Sequence, residues 1–314
     1  MLNTPSPSEP PVSSPVTGQA RYFEYTAAVN PLEARLISRV PPRDFPPSLY
    51  AEGGTRVVPL DLSAELGCPG PATSPGLCAN FLRIRPGEEL ALAPNATSQV
   101  FYVMGGSGRV QQGGTRFLFE GGDFLALPGG STAVLTADSL ATLYYVHDAP
   151  LLNYLGVTGV EARFSPTLYP AARARAELRR VEEDANSARR NRISILLGNS
   201  NFPQTRTITH VLWTMSGVVL PHSVQKPHRH QSIALDFTAS CAPGCYTLLG
   251  SRLDDAGHIV NPTRVDWTTG MAFVTPPGLW HAHFNESGEK AYVIPIQDAG
   301  LQSYLRTLDI RFSL

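Results

Sequence analysis

Two histidines stand two residues apart in Lys226-Pro227-His228-Arg229-His230-Gln231-Ser232. A third, His281, follows about fifty residues later in Thr275-Pro276-Pro277-Gly278-Leu279-Trp280-His281-Ala282-His283-Phe284-Asn285. Side chains alternate faces along a strand, so His228 and His230 point one way and Arg229 the other. His281 comes just after a Pro-Gly turn that closes an apolar strand. Three neutral imidazole nitrogens on neighbouring strands suit a borderline divalent ion with open positions, such as Fe(II), Zn, Ni or Cu. Such a centre binds anionic chelating molecules and polarises them. His283 shares the face of His281 and is expected to contact substrate or handle a proton.

Those strands need a framework. At 314 residues the chain is long enough for two domains of ordinary size. Its 42% hydrophobic and 16% charged residues describe a globular protein, and 27 Gly with 28 Pro fit many short strands joined by turns. A formal net charge of -1 gives no electrostatic basis for nucleic acid or an anionic membrane. No apolar run reaches the roughly 18 residues that cross a bilayer, and the first residues lack a signal-peptide pattern, so a cytoplasmic location is expected. Cys68, Cys78, Cys241 and Cys245 do not make a disulfide framework in a chain this long.

Period-two runs begin near Cys78: Phe81–Pro86, Gln99–Met104, Thr115–Phe119, Asp123–Pro128 and Leu140–Val146, with Gly113-Gly114 as a hairpin turn. A second set covers Thr207–Trp213, Ile233–Phe237, Tyr246–Leu249, Met271–Val274 and Ala291–Ile296, with Asp254–Gly257 as a turn. Gly122 and Gly270, 148 residues apart, each lie a fixed step before a proline (Pro128, Pro276) and a further glycine (Gly130, Gly278), which marks an internal repeat.

The pairing of H-x-H with G-x5-P-x-G-x-x-H-x3-N resembles the two motifs of the cupin superfamily. The implied fold is all-β: two cupin (jelly-roll type) barrels in one chain with a short linking helix. Within that superfamily, Pro227–Leu235 and Thr275–Asn285 resemble the gentisate/salicylate 1,2-dioxygenase branch, whose metal is held by three histidines. The glutamate that many cupins add falls here at Ala234 or Leu235, neither of which binds metal. The resemblance implies one divalent metal in the second barrel, Fe(II) before Zn, Mn or Ni, with ligands His228, His230 and His281. It implies a small-molecule substrate cleaved by dioxygen between ring carbons bearing hydroxyl and carboxyl, and a homodimer or higher homo-oligomer.

Substrate contacts are expected from His283, Asp236 and Trp280. Asp236 stands where the branch carries a carboxylate-binding arginine, which points away from gentisate or salicylate itself. The first repeat offers Ala93, Asn95, Gln99 and Ala133 at the ligand positions, so that barrel is expected to be a metal-free scaffold. Alternatives to a dioxygenase are a metal-dependent isomerase or hydrolase, or a non-catalytic bicupin that binds a metal or small molecule.

The expected segments are a disordered tail over 1–18, an arm over 19–77, the degenerate barrel over 78–158, a linker with helix over 159–192, and the metal barrel with a C-terminal segment over 193–314. Pro31–Ile37 reads as a short helix. Arginines and acids interleave between 173 and 192, which reads as a solvated helix with Arg179/Glu183 and Arg180/Asp184 pairs. His210 and His222 are expected to be structural and His258 exposed. The C-terminal Ile310–Phe312 is expected to pair with a barrel edge.

Overall fold

A computed structural model describes residues 16–187 and 190–313; most of the expected tail, residues 1–15, and Arg189 lie outside them. Two compact units result, Met1–Ser38 and Arg39–Leu314. In the first, the short helix is Tyr25–Ala28 and not Pro31–Ile37: the Glu24 carboxylate accepts the Thr26 and Ala27 N–H groups and fixes the helix start there.

The second unit holds four antiparallel sheets. One six-stranded sheet runs Thr167–Tyr169, Phe124–Pro128, Ser98–Gly105, Ala141–His147, Cys78–Ile84 and Arg56–Pro59 in spatial order. Facing it is a four-stranded sheet of Glu89–Leu92, Ala133–Ala137, Ser107–Gln112 and Thr115–Glu120. The apolar filling between them includes Leu82, Phe101, Val103, Leu125, Leu135 and Leu143. In the second barrel a six-stranded sheet runs Asp44–Phe45, Ala272–Thr275, Ala234–Ser240, Ala291–Gln297, Trp213–Val219 and Ile193–Leu197. Its five-stranded partner is Thr263–Asp266, Cys245–Gly250, Trp280–Asn285, Ser223–Arg229 and Arg311–Phe312.

The repeat is visible in the backbone. Gly122 and Gly270 have φ of 95° and 86°, and Gly130 and Gly278 have 85° and 77°, left-handed values that a side chain would strain. Each barrel closes with a seven-residue helix, Ala149–Leu155 or Ala299–Leu305, preceded by a buried or nearly buried aspartate. Asp148 accepts the Thr97 and Ser98 N–H groups, and Asp298 accepts that of Ile233.

The two six-stranded sheets share one core. Phe81, Tyr144, Val100 and Phe124 from the first meet Leu235, Phe237, Val274 and Ile296 from the second. Tyr144 stacks on Phe237 with ring centroids 5.0 Å apart. Burying aromatic area on this scale is the largest favourable contribution such an interface has.

Three local expectations change. Thr207–Leu212 is not strand: the Thr209 hydroxyl accepts the Leu212 N–H at 2.8 Å and the Thr209 N–H donates to Leu212 O, so the chain turns and the strand begins at Trp213. The helix Ala171–Glu182 is packed, with Ala171, Ala174 and Leu178 buried and Leu178 against Ile193 and Val218. Its ion pairs are Arg180–Glu177 at 3.1 Å, Lys290–Glu182 and, beyond its end, Arg190–Asp184 at 3.1 Å; the helix stops before an Arg180/Asp184 pair can form on one face. The arm beyond Ser38 spans both barrels: Asp44 and Phe45 pair with Phe273 and Ala272, while Arg56–Pro59 pairs with Asn80–Arg83. Arg311–Phe312 does pair with the barrel, against His228 and Arg229.

Candidate metal centre

The second barrel brings three imidazoles together from two neighbouring strands and the turn that follows one of them. His228 is the penultimate residue of the Ser223–Arg229 strand, whose register shifts between Gln225 and His228; His230 lies just past the strand, and His281 stands opposite His228 on Trp280–Asn285. One nitrogen from each lies within 4.8 Å of the others, the only such cluster of histidine, cysteine, aspartate or glutamate among the described residues. Ring centroids are 4.0 Å apart for His228–His281 and 4.9 Å for His230–His281.

Backbone acceptors set which nitrogen faces inward. His228 Nδ1 lies 3.3 Å from Lys226 O, His281 Nδ1 3.2 Å from Leu279 O, and His230 Nδ1 2.9 Å from Ser232 O. A carbonyl can only accept, so each Nδ1 carries the proton and each Nε2 keeps its lone pair. The Ser232 hydroxyl, also 2.9 Å from His230 Nδ1, donates onward to Gln297 Oε1 at 3.0 Å. His230 Nε2 is buried without a partner. Burial, first of all, lowers all three imidazoles: His230 to about 4, His228 and His281 well below the ordinary value. All three are therefore neutral at physiological pH, the state that binds a metal. The donor set fits a divalent ion held by three nitrogens with positions to spare.

His283 joins the cluster, its ring centroid 5.7 Å from that of His281. The Thr247 hydroxyl lies 2.8 Å from His283 Nδ1 and accepts the Trp267 indole N–H at 2.9 Å. Burial holds His283 well below its ordinary value, so it too is neutral. Asp236 is 2% exposed and shares a strand with Leu235 and Phe237, whose side chains enter the core between the barrels. By alternation it faces the interior of the second barrel, where its Oδ2 accepts the Thr275 hydroxyl at 2.7 Å. Burial pushes its carboxyl up to about 6, against the opposing pull of the Thr275 hydrogen bond and the Arg192 charge.

Trp280 does not join them. The alternation that sends His281 and His283 inward sends it outward, where the Arg229 guanidinium lies 5.2 Å from its ring. The tryptophan that lines the cavity is Trp213, together with Arg192, Met215, His228, His230, Gln297, Ile310 and Phe312, around about 420 Å³.

Arg192 is the functional candidate that sequence reasoning missed, because it read as one more arginine of a solvated linker. Its Nη2 lies 2.8 Å from His228 Nε2 and its Nη1 3.6 Å from Met215 Sδ. Its place immediately before a strongly apolar strand, Ile193–Leu197, was the available signal.

In the first barrel the ligand positions are filled differently. Tyr145 donates to Gln99 Oε1 at 2.7 Å and Gln99 Nε2 donates to Pro128 O at 3.0 Å, while Ala133 packs in the apolar filling. His210 Nε2 meets the Thr97 hydroxyl at 3.0 Å, and His258 lies in an exposed turn beside Asp254. The four cysteines are free.

No family model matches the chain. Gentisate 1,2 dioxygenase 1 of Aquipseudomonas alcaligenes is 27% identical over 145 residues, a match spanning 45% of this chain and 38% of that protein. The salicylate 1,2-dioxygenase of Pseudoaminobacter salicylatoxidans superposes with a TM-score of 0.70 in a point mutant complexed with gentisate. That superposition covers 99% of this chain and 98% of the other at 12% identity. A cupin 2 conserved barrel domain protein from Leptotrichia buccalis superposes with a TM-score of 0.50, covering 83% of this chain and 97% of that one at 15% identity. The fold is that of a two-barrel cupin.

Proposed function

We propose that this bicupin, which resembles the gentisate and salicylate 1,2-dioxygenases, is a mononuclear non-haem iron dioxygenase acting on a small, anionic, metal-chelating aromatic or related molecule. The observation that carries the reading is the set of three imidazoles whose ligand nitrogens lie within 4.8 Å of one another, each with a backbone acceptor at Nδ1, beside a cavity that His228 and His230 line. When bound by His228, His230 and His281, Fe(II) supplies redox and Lewis-acid chemistry with coordination positions open to other ligands.

The chain's own residues do the rest. Arg192 offers a half-buried cation to an anionic group of the substrate, an interaction strengthened by the low local polarity. Trp213, Met215, Ile310 and Phe312 give the cavity apolar walls that suit a ring. His283, neutral and held through Thr247, is the group placed to meet a substrate oxygen or pass a proton. The four free thiols support a cytoplasmic setting. A homodimer or higher oligomer is part of the same reading. No helix among the described residues is long and apolar enough to cross a membrane.

The test is elemental analysis of anaerobically purified protein, followed by an oxygen-electrode screen of hydroxylated aromatic acids. Stoichiometric iron with substrate-dependent oxygen uptake is the expected result. Stoichiometric Zn, Mn or Ni without oxygen uptake would move the assignment to an isomerase or hydrolase. Absence of any metal after reconstitution would leave a binding bicupin.

A further inference from the structure

The helix Ala171–Glu182 sorts its charges by face. Arg173, Glu177 and Arg180 line a groove on one side, and there Arg180 is paired with Glu177. Ala171, Arg175, Leu178 and Glu182, at steps of four, three and four, line a different cleft of about 270 Å³ together with Arg179. The opposite wall comes from both barrels: Tyr102 and Phe124 from the first, Ser216, Tyr292 and Ile294 from the second. This cleft is separate from the metal centre. Met215 lines the cavity beside His228 and Ser216 lines the cleft, adjacent residues of one strand that face opposite sides of the sheet.

The acids near the cleft are engaged elsewhere. Glu182 holds Lys290, and Asp184 holds Arg190. Arg175 and Arg179, one turn apart, form no ion pair or hydrogen bond with any described residue, and Glu183, four residues after Arg179, does not pair with it. Arg175 Nη1 lies over the bare α-carbon of Gly122, where a Cβ would come within 2.9 Å of it. The Tyr102, Tyr292 and Ser216 hydroxyls have no hydrogen-bond partner among the described residues either. Two like charges at this spacing repel unless an anion lies between them.

We propose that this cleft binds a small organic phosphate monoester. A carboxylate has two oxygens and satisfies one guanidinium fork, whereas a monoester presents three terminal oxygens and a charge near -2, enough for both arginines. Phe124, Leu178 and Ile294 form an apolar wall, which suits a compact apolar body on the ligand rather than a bare ion. Both arginines are exposed, so their charged ends are within reach of a ligand arriving from solvent.

The experiment is isothermal titration of the metal-loaded full chain with phenyl phosphate, inorganic phosphate and benzoate, repeated for Arg175→Gln, Arg179→Gln, Arg173→Gln and His281→Ala. The wild type is expected to bind one phenyl phosphate per chain, roughly tenfold or more tighter than inorganic phosphate or benzoate. Arg175→Gln and Arg179→Gln are each expected to weaken it roughly tenfold. Arg173→Gln, on the other side of the helix, and His281→Ala, which removes a metal ligand, are expected to leave it nearly unchanged. Glutamine keeps the helix propensity of arginine, so thermal melts of the arginine variants should match the wild type. No saturable binding of phenyl phosphate would overturn the proposal. So would inorganic phosphate or benzoate binding as tightly, an equal loss in Arg173→Gln, which would mean general charge attraction, or a loss confined to His281→Ala, which would put the phosphate on the metal.

Discussion

Arg192 Nη2 lies 2.8 Å from His228 Nε2, so the guanidinium rests on the nitrogen that a metal needs. A metal at that nitrogen has to displace the N–H, and the displaced arginine remains a cation in a desolvated site. Two positive centres then sit together until an anion arrives. Metal and anion binding would thereby be linked through a single side chain.

Arg192→Met should therefore act in opposite directions on the two ligands. Metal affinity is expected to hold or rise, since a competitor for His228 leaves. Affinity for a carboxylate-bearing ring is expected to fall roughly 10- to 150-fold, the worth of a charge-assisted hydrogen bond. Competition with a chromophoric chelator and ligand titration measure the two separately; a parallel loss of both would point to a structural role instead.

Replacing a ligand has a simpler signature. His281→Ala and His228→Ala should each take metal content from about one ion per chain to near zero while the fold is kept. In the wild type a strong chelator should lower the melting temperature, because binding energy specific to the folded state is withdrawn. A melting temperature indifferent to chelator would argue that the three nitrogens hold no ion.

A pH response belongs to the first barrel. Burial lowers His147 to about 4 from 6.5. As pH falls below 6.5 the unfolded chain takes up a proton that the folded chain refuses, so stability is lost between pH 6.5 and about 4, by roughly 3 kcal/mol in total from this group. Denaturant midpoints for His147→Gln at about pH 7 and pH 5 should show a flatter dependence than the wild type. An unchanged slope would mean the imidazole is reached by water.

The core between the barrels yields a pair of contrasting outcomes. Phe237→Ala should cost about 3–5 kcal/mol, because its ring packs against Phe81, Tyr102 and Tyr144. Tyr144→Phe should cost little, since the buried Tyr144 hydroxyl has no partner to lose. Thermal melts of the two variants check both, and a large loss in Tyr144→Phe would reveal a hydrogen bond to that oxygen.

How much of this was legible in the sequence follows from the range of the forces involved. The H-x-H pair, the Pro-Gly turn before His281 and the paired glycines are local patterns with one backbone solution each, and the strands built on them appear where the alternation put them. Trp280 was misread because it adjoins His281, although neighbours on a strand face opposite ways. Arg192 was hidden for the opposite reason: its surroundings in the chain are polar, and only the tertiary path carries it into the barrel. The packed helix Ala171–Glu182 was likewise invisible as such, since three small or aliphatic contacts spaced along one face look weak beside its many charges.

A barrel without ligands still contributes a wall. Because Tyr144, Phe81 and Phe237 belong to one continuous interior, the second barrel has no separate inside and outside along that boundary. Producing either half without the other would expose an apolar sheet face to water, and that face would seek a replacement partner in aggregation. The first barrel is thus held in place by its neighbour's solubility, a constraint that does not depend on its chemistry.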